Sequence, residues 1–282
     1  MHSEMAKIKN LILLIPAFVF LSITPLPAKE PIKPVFADPR VQALIDRAWT
    51  AMDYDLSLPN LDEAIKCGEE ALALDPGNYV LLCVAANFYS QKVVRMPTET
   101  KPEKEAMLAM ARKGYDYARK SLAIKETAAG YTWAISCYSM LYRDRNFAAQ
   151  LTASPEIVRL VNKIEECDQD YFYGVSARLR SRMALVTPKL LLKLIGGTLA
   201  GIEEKLDHGI SLEPAFLDNY VDKSTFLNHI GRPAEAKRIL EWVLRQDPDA
   251  RPALRAWNRY SYDRTKVIWK EWTGADYPNP LR

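Results

Sequence analysis

The feature that most constrains this chain is an apolar pattern that occurs twice in succession between Leu199 and Pro248. The first copy places small or apolar residues at steps of three and four before a proline: Ile202, Leu206, Gly209, Leu212 and Pro214. The second copy has the same form: Gly231, Ala236, Leu240, Val243, Leu244 and Pro248. Such steps place the apolar side chains on one face of an α-helix. Each helix must therefore bury that face against a neighbour.

A third copy of the closing half lies near the start of the chain, between Leu61 and Pro76. From position 214 to position 248 is a distance of 34 residues, which equals the repeat length of the tetratricopeptide repeat (TPR). The pattern resembles the second helix of a TPR hairpin. This resemblance implies an all-α fold, a right-handed superhelical array of TPR-like antiparallel helix hairpins. Such arrays need an atypical last helix, and residues 249–272 are expected to form that C-terminal capping helix.

The composition agrees with a helical, globular chain. Of the 282 residues, 49% are hydrophobic and only 11 are glycine, and strand-like alternation is hard to find. The formal net charge is +3, which is too close to balance for non-specific binding of a polyanion. We therefore expect no nucleic-acid partner.

The N-terminal residues have the form of a secretory signal peptide. Lys7 and Lys9 precede an apolar run over residues 11–23, which is short for a bilayer span because such a helix needs about 20 residues. Cleavage is expected after Ala28, with Ala37 as the alternative. The mature protein is then periplasmic or secreted, and an uncleaved signal that anchors the N-terminus in the membrane is the alternative. No cysteine precedes Cys67, so the signal lacks a lipid-attachable cysteine and peripheral membrane association stays open.

The segments predict four regions in the order of the chain: a signal peptide over 1–28, a proline-rich linker over 29–37, a single TPR-like helical domain over 38–272 and a C-terminal tail over 273–282. Asp38, which precedes a proline, predicts the N-cap of the first helix. Asn60 predicts the N-cap of the next helix. Ser154 before Pro155 predicts a further helix start. Residues 168–186 are expected to form another helix.

The four cysteines are Cys67, Cys83, Cys137 and Cys167, widely spaced and without a C-x-x-C motif, and the three histidines do not cluster. This spacing argues against a zinc site and against thioredoxin-type redox chemistry. Each cysteine lies at an apolar helical position, so buried thiols are expected. If a disulfide forms, Cys67 with Cys83 is the first choice, because successive helices of a hairpin array pack together. No metal and no cofactor are expected.

Enzyme motifs are missing from the sequence: it contains no G-x-S-x-G, no glycine-rich phosphate loop and no H-E-x-x-H. Adjacent carboxylates such as Glu203 and Glu204 diverge by about 100° around a helix. His208 and His229 have no paired nucleophile and are expected at helix surfaces or interfaces. We expect no enzymatic activity and no catalytic residue.

Three segments between about residues 129 and 247 resemble the T-component family of tripartite ATP-independent periplasmic (TRAP) transporters: Tyr131–Ala134, Tyr171–Gly174 with the following arginines and Pro188, and the Gly196–Gly197 turn that leads to Ile202. The resemblance implies an exported TPR-like protein whose partner is an extracytoplasmic solute-binding protein or a small apolar ligand. Two features depart from the family. The lipoprotein cysteine is missing, and Val175–Ala177 replaces a Gly-Pro-containing form.

Three arginines follow one another at steps of two, and of these only Arg178 and Arg182 share a helix face. The expectation is that Arg178, Arg180 and Arg182 are surface arginines paired with acidic residues. The alternative is an anion site formed by Arg178 with Tyr171 and Tyr173, because guanidinium groups suit carboxylates and phosphates.

An apolar run over residues 190–195 lies between two helix breakers, so it is either buried on several sides or presents an apolar surface. The candidate ligand- or partner-binding residues are aromatic, basic and apolar: Trp133, Tyr138, Tyr171, Tyr173, Arg178, Leu190, Leu191 and Leu194. The first functional hypothesis is a non-enzymatic exported scaffold that binds a protein, the solute-binding component of a TRAP-type transporter, on its concave side. The second is a carrier of a small apolar ligand in a cavity of the helical array.

Overall fold

The computed structural model describes residues 31–187 and 198–278, and every regular element in these two ranges is helical. In chain order the helices are α1 (Pro39–Tyr54), α2 (Leu58–Leu74), α3 (Tyr79–Val93), α4 (Lys101–Ile124), α5 (Ala128–Tyr142), α6 (Phe147–Asp168), α7 (Tyr171–Val186), α8 (Leu199–Leu212), α9 (Leu217–His229), α10 (Pro233–Leu244) and α11 (Arg255–Thr273). A short 3-10 turn, Pro252–Leu254, precedes α11. The predicted signal peptide and the apolar run over 190–195 lie outside the described residues.

Helices α1 to α10 form hairpins of consecutive helices: α1 with α2, α3 with α4, α5 with α6, α7 with α8, and α9 with α10. The second helix of each hairpin also contacts the first helix of the next one. In addition, α3, α5, α7 and α9 contact one another in that order, which makes them the inner layer of the array. The even-numbered helices form the outer layer. The predicted all-α array of TPR-like hairpins is confirmed.

The first two helix starts show how local chemistry decides where a helix begins. Asp38 caps α1, and its carboxylate accepts a hydrogen bond from the backbone N–H of Arg40. The prediction for Asn60 is wrong, because α2 begins earlier, at Leu58. The Asn60 amide donates instead to the carboxylate of Asp55, at 2.8 Å, and so stabilises the turn before the helix.

The helix start predicted at Ser154 is also wrong. Helix α6 begins at Phe147 and continues through Pro155. A proline inside a helix removes one backbone donor and usually kinks or ends the helix. Pro155 is exposed, so water can hydrogen-bond the carbonyl that the proline leaves without a donor.

The last helix, α11, covers the end of the array as predicted, and it also reaches the beginning. Tyr262 and Trp269 pack in one apolar cluster with Leu240 of α10. Elsewhere α11 contacts α1, and Nη1 of Arg259 donates to the backbone carbonyl of Tyr54 at 2.8 Å. The guanidinium group thereby satisfies a carbonyl in the last turn of α1, where intrahelical partners are missing. The two ends of the array are joined by this contact.

Helix α7 contains a left-handed turn close to its start. Phe172, Tyr173 and Gly174 have φ angles of 46°, 55° and 76°. For residues other than glycine, this conformation costs about 1–2 kcal/mol each. The prediction of a regular helix over residues 168–186 is therefore wrong at this point, and tertiary contacts must stabilise the turn.

The four cysteines form no disulfide in the structure. Cys67, Cys83 and Cys137 are buried thiols, as expected, whereas Cys167 is half-buried. Over the two described ranges, no group of three His, Cys, Asp or Glu side chains is placed to hold a metal ion. None of the helices in these ranges is both long and apolar enough to cross a membrane.

Candidate binding site

A cavity of about 350 Å³ lies between the N-terminal segment, residues 31–37, and the inner helices α3, α5 and α7. The helices contribute mostly apolar and aromatic side chains, among them Cys83, Val84, Ala129, Trp133 and Tyr171, together with the polar Asn87. Among the described residues that line the cavity, none carries a charge. Its size and lining are typical of a small-molecule site, which is largely apolar with few polar groups.

The N-terminal segment forms the outer wall of this cavity. Ile32 and Phe36 pack against two different apolar clusters of the array. The Lys33 ammonium lies 2.6 Å from the carboxylate of Asp53 in α1. The backbone N–H of Phe36 donates to Oε1 of Gln42 at 2.6 Å. The part of the predicted linker that the structure describes is therefore held against the helices, and it closes the cavity on one side.

Trp133 of α5 and Tyr171 of α7 form the inner wall of the cavity, and an aromatic cluster supports them from behind. The ring of Phe172 lies 6.0 Å from that of Trp133 and 6.4 Å from that of Tyr171. Phe172 also contacts Trp257 of α11 edge-on, at 5.0 Å, and Phe216 at 5.5 Å. Aromatic rings packed in this way contribute both buried area and specific geometry. The cavity wall is thus connected to α11.

The guanidinium group of Arg178 stabilises the left-handed turn beside the cavity. It donates to the backbone carbonyls of Phe172 and Tyr173, at 3.0 and 3.1 Å, and to Oδ1 of Asn219 at 2.6 Å. Its Nε atom lies 3.4 Å from the carboxylate of Asp218. Burial lowers the pKa of Arg178 to about 10, which leaves it charged at neutral pH. In a regular helix, the carbonyls of Phe172 and Tyr173 would point along the helix axis. Here the buried guanidinium group holds them by charge-assisted hydrogen bonds.

Two carboxylates of α9 join α7 to α11. Asp218 accepts hydrogen bonds from Arg182 of α7 at 3.1 Å and from Arg264 of α11 at 3.2 Å. Asp222 accepts from the same two arginines, at 3.1 and 2.8 Å. Burial raises the pKa of Asp218, but the guanidinium groups of Arg182, Arg264 and Arg178 outweigh it and lower the pKa to about 2. Removal of one partner from such a buried group costs about 3–5 kcal/mol, because an uncompensated charge remains. The cluster therefore fixes α11 against the inner layer.

The structure separates the predicted aromatic site residues. Trp133 and Tyr171 come together at the cavity. Tyr138 lies elsewhere, between the rings of Tyr115 and Tyr142, at 5.2 and 4.9 Å. The cavity therefore unites two of the predicted residues, and a binding role for Tyr138 stays a prediction.

Tyr173 lies in the left-handed turn and Arg178 stabilises that turn, and neither residue lines the cavity. The Arg178 donors already face backbone carbonyls and Asn219, so a binding role for this pair also stays a prediction. The remaining predicted residues lie outside the described part of the chain: Leu190, Leu191 and Leu194.

The expected pairing of the three arginines with acidic residues is confirmed, but the expected surface location is wrong for two of them. Arg178 and Arg180 are 2% and 3% exposed, and Nε of Arg180 lies 2.8 Å from Glu165. Arg182 is the exposed member of the three, with 44% of its side chain accessible. Helix α7 is an inner helix with neighbours on several sides, so its polar face meets α6 and α9 instead of water.

Sequence analysis missed the cavity residues contributed by α3 and by the N-terminal segment. Asn87 and Gln91 are four residues apart on a helix whose other inner positions are apolar. A polar pair at that step in an apolar helix was the signal that a polar group faces the interior. Ile32 and Phe36, apolar residues in a proline-rich stretch, were the corresponding signal that the linker packs.

The hairpin packing and the inner layer define a TPR-like protein. No family model matches the chain, and no curated protein matches it. Among solved structures, it is similar to TTC0263, a thermophilic TPR protein of Thermus thermophilus, with a TM-score of 0.55 and 16% identity over 80% of this chain and 99% of that one. At this identity the similarity shows the fold alone.

Two further structures are more distantly similar. The MamA protein has a TM-score of 0.38 and 13% identity over 85% of this chain and 98% of its own. YrrB, described as a TPR protein with an unusual peptide-binding site, has a TM-score of 0.36 and 15% identity over 76% of this chain and 89% of its own. The resemblance to the TRAP T-component family stays a prediction.

Proposed function

We propose that this protein is an exported, non-enzymatic TPR-like scaffold that binds a partner protein on the inner side of its helical array. The array itself supports the proposal, because stacked hairpins offer an extended curved surface for another molecule. The N-terminal segment and α11 cover part of the inner side. The part that stays accessible includes Tyr260, 39% exposed, and Arg182. Tyrosine and arginine are frequent anchors of protein interfaces.

The partner implied by the T-component resemblance is the extracytoplasmic solute-binding protein of a TRAP-type transporter. Calorimetric titration of the purified protein with a TRAP-type solute-binding protein of the same organism tests this identity, and a one-to-one complex is expected. Tyr260→Ser is expected to weaken the complex at least about tenfold, because truncation of an interface anchor costs roughly 2 kcal/mol or more. Leu151→Ser, at an exposed apolar position on the outer helix α6, is the matched control. The identity of the partner is overturned if no complex forms, and the binding site on the inner side is overturned if both variants weaken the complex equally.

Export is part of the same proposal, and the packing of the N-terminal segment supports cleavage after Ala28. Cleavage after Ala37 would remove Ile32 and Phe36 and open the cavity that they help to close. Fractionation of the native cells followed by N-terminal sequencing of the mature protein tests both points. A mature protein that begins at residue 29 is expected, and one that begins at residue 38 would contradict it.

The cavity favours a second candidate function, a carrier of a small apolar ligand. Its volume of about 350 Å³, its uncharged lining and the aromatic wall formed by Trp133 and Tyr171 carry this alternative. Native mass spectrometry of the protein purified from its own host is expected to show a bound small molecule that organic extraction removes. Val84→Phe, which places a larger side chain in the cavity, is expected to abolish the adduct without loss of helical circular dichroism. An adduct that persists in this variant would locate the ligand elsewhere.

A further inference from the structure

Three polar residues form a row that starts at the cavity, follows the inner face of α3 and ends in the turn after that helix. Asn87 and Gln91 are four residues apart, so they lie on the same side of the helix, and Arg95 follows four residues later in the turn beyond the end of α3. Asn87 and Gln91 are 3% and 6% exposed, and Asn87 lines the cavity. At the far end, the Arg95 guanidinium stacks on the ring of Tyr260 in α11, at 4.2 Å. Buried polar groups in an apolar layer need partners, and these three partner one another.

The hydrogen bonds in this row all run in one direction. Nη1 of Arg95 donates to Oε1 of Gln91 at 3.1 Å, and Nε2 of Gln91 donates to Oδ1 of Asn87 at 3.1 Å. Arg95 has donors only, so it fixes the amide orientation of Gln91, which in turn fixes that of Asn87. Nδ2 of Asn87, the last group of the row, has no hydrogen-bond partner among the described residues. The row therefore ends in an unused N–H donor at the cavity.

The rest of the cavity restricts what can accept that hydrogen bond. The described lining residues are uncharged, and a carboxylate placed there would lose its hydration without a neighbouring cation. An ammonium group would meet the donor end of the Asn87 amide. A neutral carbonyl oxygen has neither problem, and hydrogen bonds that begin at a charged donor strengthen the next bond in the chain.

We propose that the cavity binds an uncharged, largely apolar molecule through a carbonyl-type oxygen that accepts a hydrogen bond from Nδ2 of Asn87. Esters, ketones and amides with an aromatic or aliphatic body belong to this class. Trp133 and Tyr171 contact the body, and Asn87 orients the head. This inference rests on the second candidate function, the carrier of a small apolar ligand.

A matched pair of probes tests the proposal: 5-phenylpentan-2-one, which carries one carbonyl, and pentylbenzene, which has the same apolar body without it. Ligand-observed NMR titration of the purified protein gives both dissociation constants. The ketone is expected to bind about tenfold more tightly than the hydrocarbon, which is the effect of one net hydrogen bond.

Two variants test in different ways whether the hydrogen bonds run from Arg95 through Gln91 to Asn87. Asn87→Leu removes the donor and keeps an apolar wall, so both probes are expected to bind alike. Gln91→Glu does not touch the wall, but its carboxylate accepts from Asn87 and pairs with Arg95, which turns the Asn87 carbonyl towards the cavity. The ketone is expected to lose its advantage there while the affinity for pentylbenzene stays unchanged. If Gln91 contributed only to the stability of the fold, the variant would bind both probes more weakly.

Asn78→Ser is the matched control, because Asn78 also lines the cavity but its amide already caps α3. Serine keeps the cap, so the tenfold preference is expected to remain. Equal binding of both probes to the unmodified protein would overturn the carbonyl inference and leave the apolar carrier standing. If neither probe binds, both the carbonyl inference and the apolar carrier are overturned. A ketone preference that survives in Asn87→Leu and in Gln91→Glu would overturn the role of this row.

Discussion

Substitution of Gly174 by alanine tests the left-handed turn of α7, because two separate costs coincide at this position. Gly174 has a φ of 76°, a conformation that costs an alanine about 1–2 kcal/mol. A Cβ atom added there would also lie 3.1 Å from Cα of Gly209 in α8, a backbone atom that cannot rotate away. Overpacking of this kind costs about 1–3 kcal/mol. We therefore expect Gly174→Ala to lower the free energy of unfolding by about 3 kcal/mol.

Gly231→Ala is the control that isolates the first cost. Gly231 also has a positive φ, 91°, but an added Cβ would meet no atom within 4 Å. Its loss is expected to be about 1 kcal/mol, from backbone conformation alone. Urea titrations followed by tryptophan fluorescence and circular dichroism give both free energies, and coincident transitions justify the two-state analysis.

The difference between the two variants carries the test. If both lose the same free energy, α7 and α8 do not approach as closely as the contact at Gly209 requires. If Gly174→Ala loses nothing, the turn is not left-handed, and the role of Arg178 as its stabilising partner falls with it.

Three other measurements test other parts of the structure. Gly209→Ala is expected to destabilise the protein despite the higher helix propensity of alanine, because its Cβ would lie 2.9 Å from the carbonyl of Tyr173; Gly201→Ala in the same helix is the near-neutral control, and urea titration checks both. The pKa of Asp218 is lowered from 3.8 to about 2, so its ionised form stabilises the fold above about pH 5 and this contribution is lost as the pH falls towards 2. Asp218→Asn is therefore expected to be less stable at pH 7 and to show a shallower loss in acid unfolding curves. Burial raises the pKa of the Cys137 thiol to about 12, so it is expected to react with Ellman's reagent only after denaturation, and fast labelling of the folded protein would contradict its burial.

Most of the fold follows from local pattern and can be predicted from the sequence. The apolar steps from Ile202 to Pro248 predict helices that bury one face, and α8 and α10 have their buried residues at those positions. Asp38 predicts the start of α1 because capping depends only on the neighbouring backbone. These features need no knowledge of distant residues.

The features that sequence analysis missed depend on residues far apart in the chain. The left-handed turn at Phe172 and Tyr173 is held by residues of two later helices: the Asn219 amide donates to the Tyr173 carbonyl, and Gly209 leaves room for the turn. Two of the candidate site residues, Trp133 and Tyr171, were predictable as buried aromatics. Their shared cavity was not, because its outer wall comes from a segment whose composition resembles that of a free linker.

The hydrogen bond from Arg259 to Tyr54 has a consequence for how this chain acquires its structure. An open solenoid gains stability by nearest-neighbour steps, so that its first repeats mature while later ones are still being made. Here the last turn of α1 obtains one of its partners from α11, about 200 residues later. The N-terminal hairpin reaches its final state only when the C-terminal helix arrives, and loss of that helix should loosen the opposite end of the molecule first.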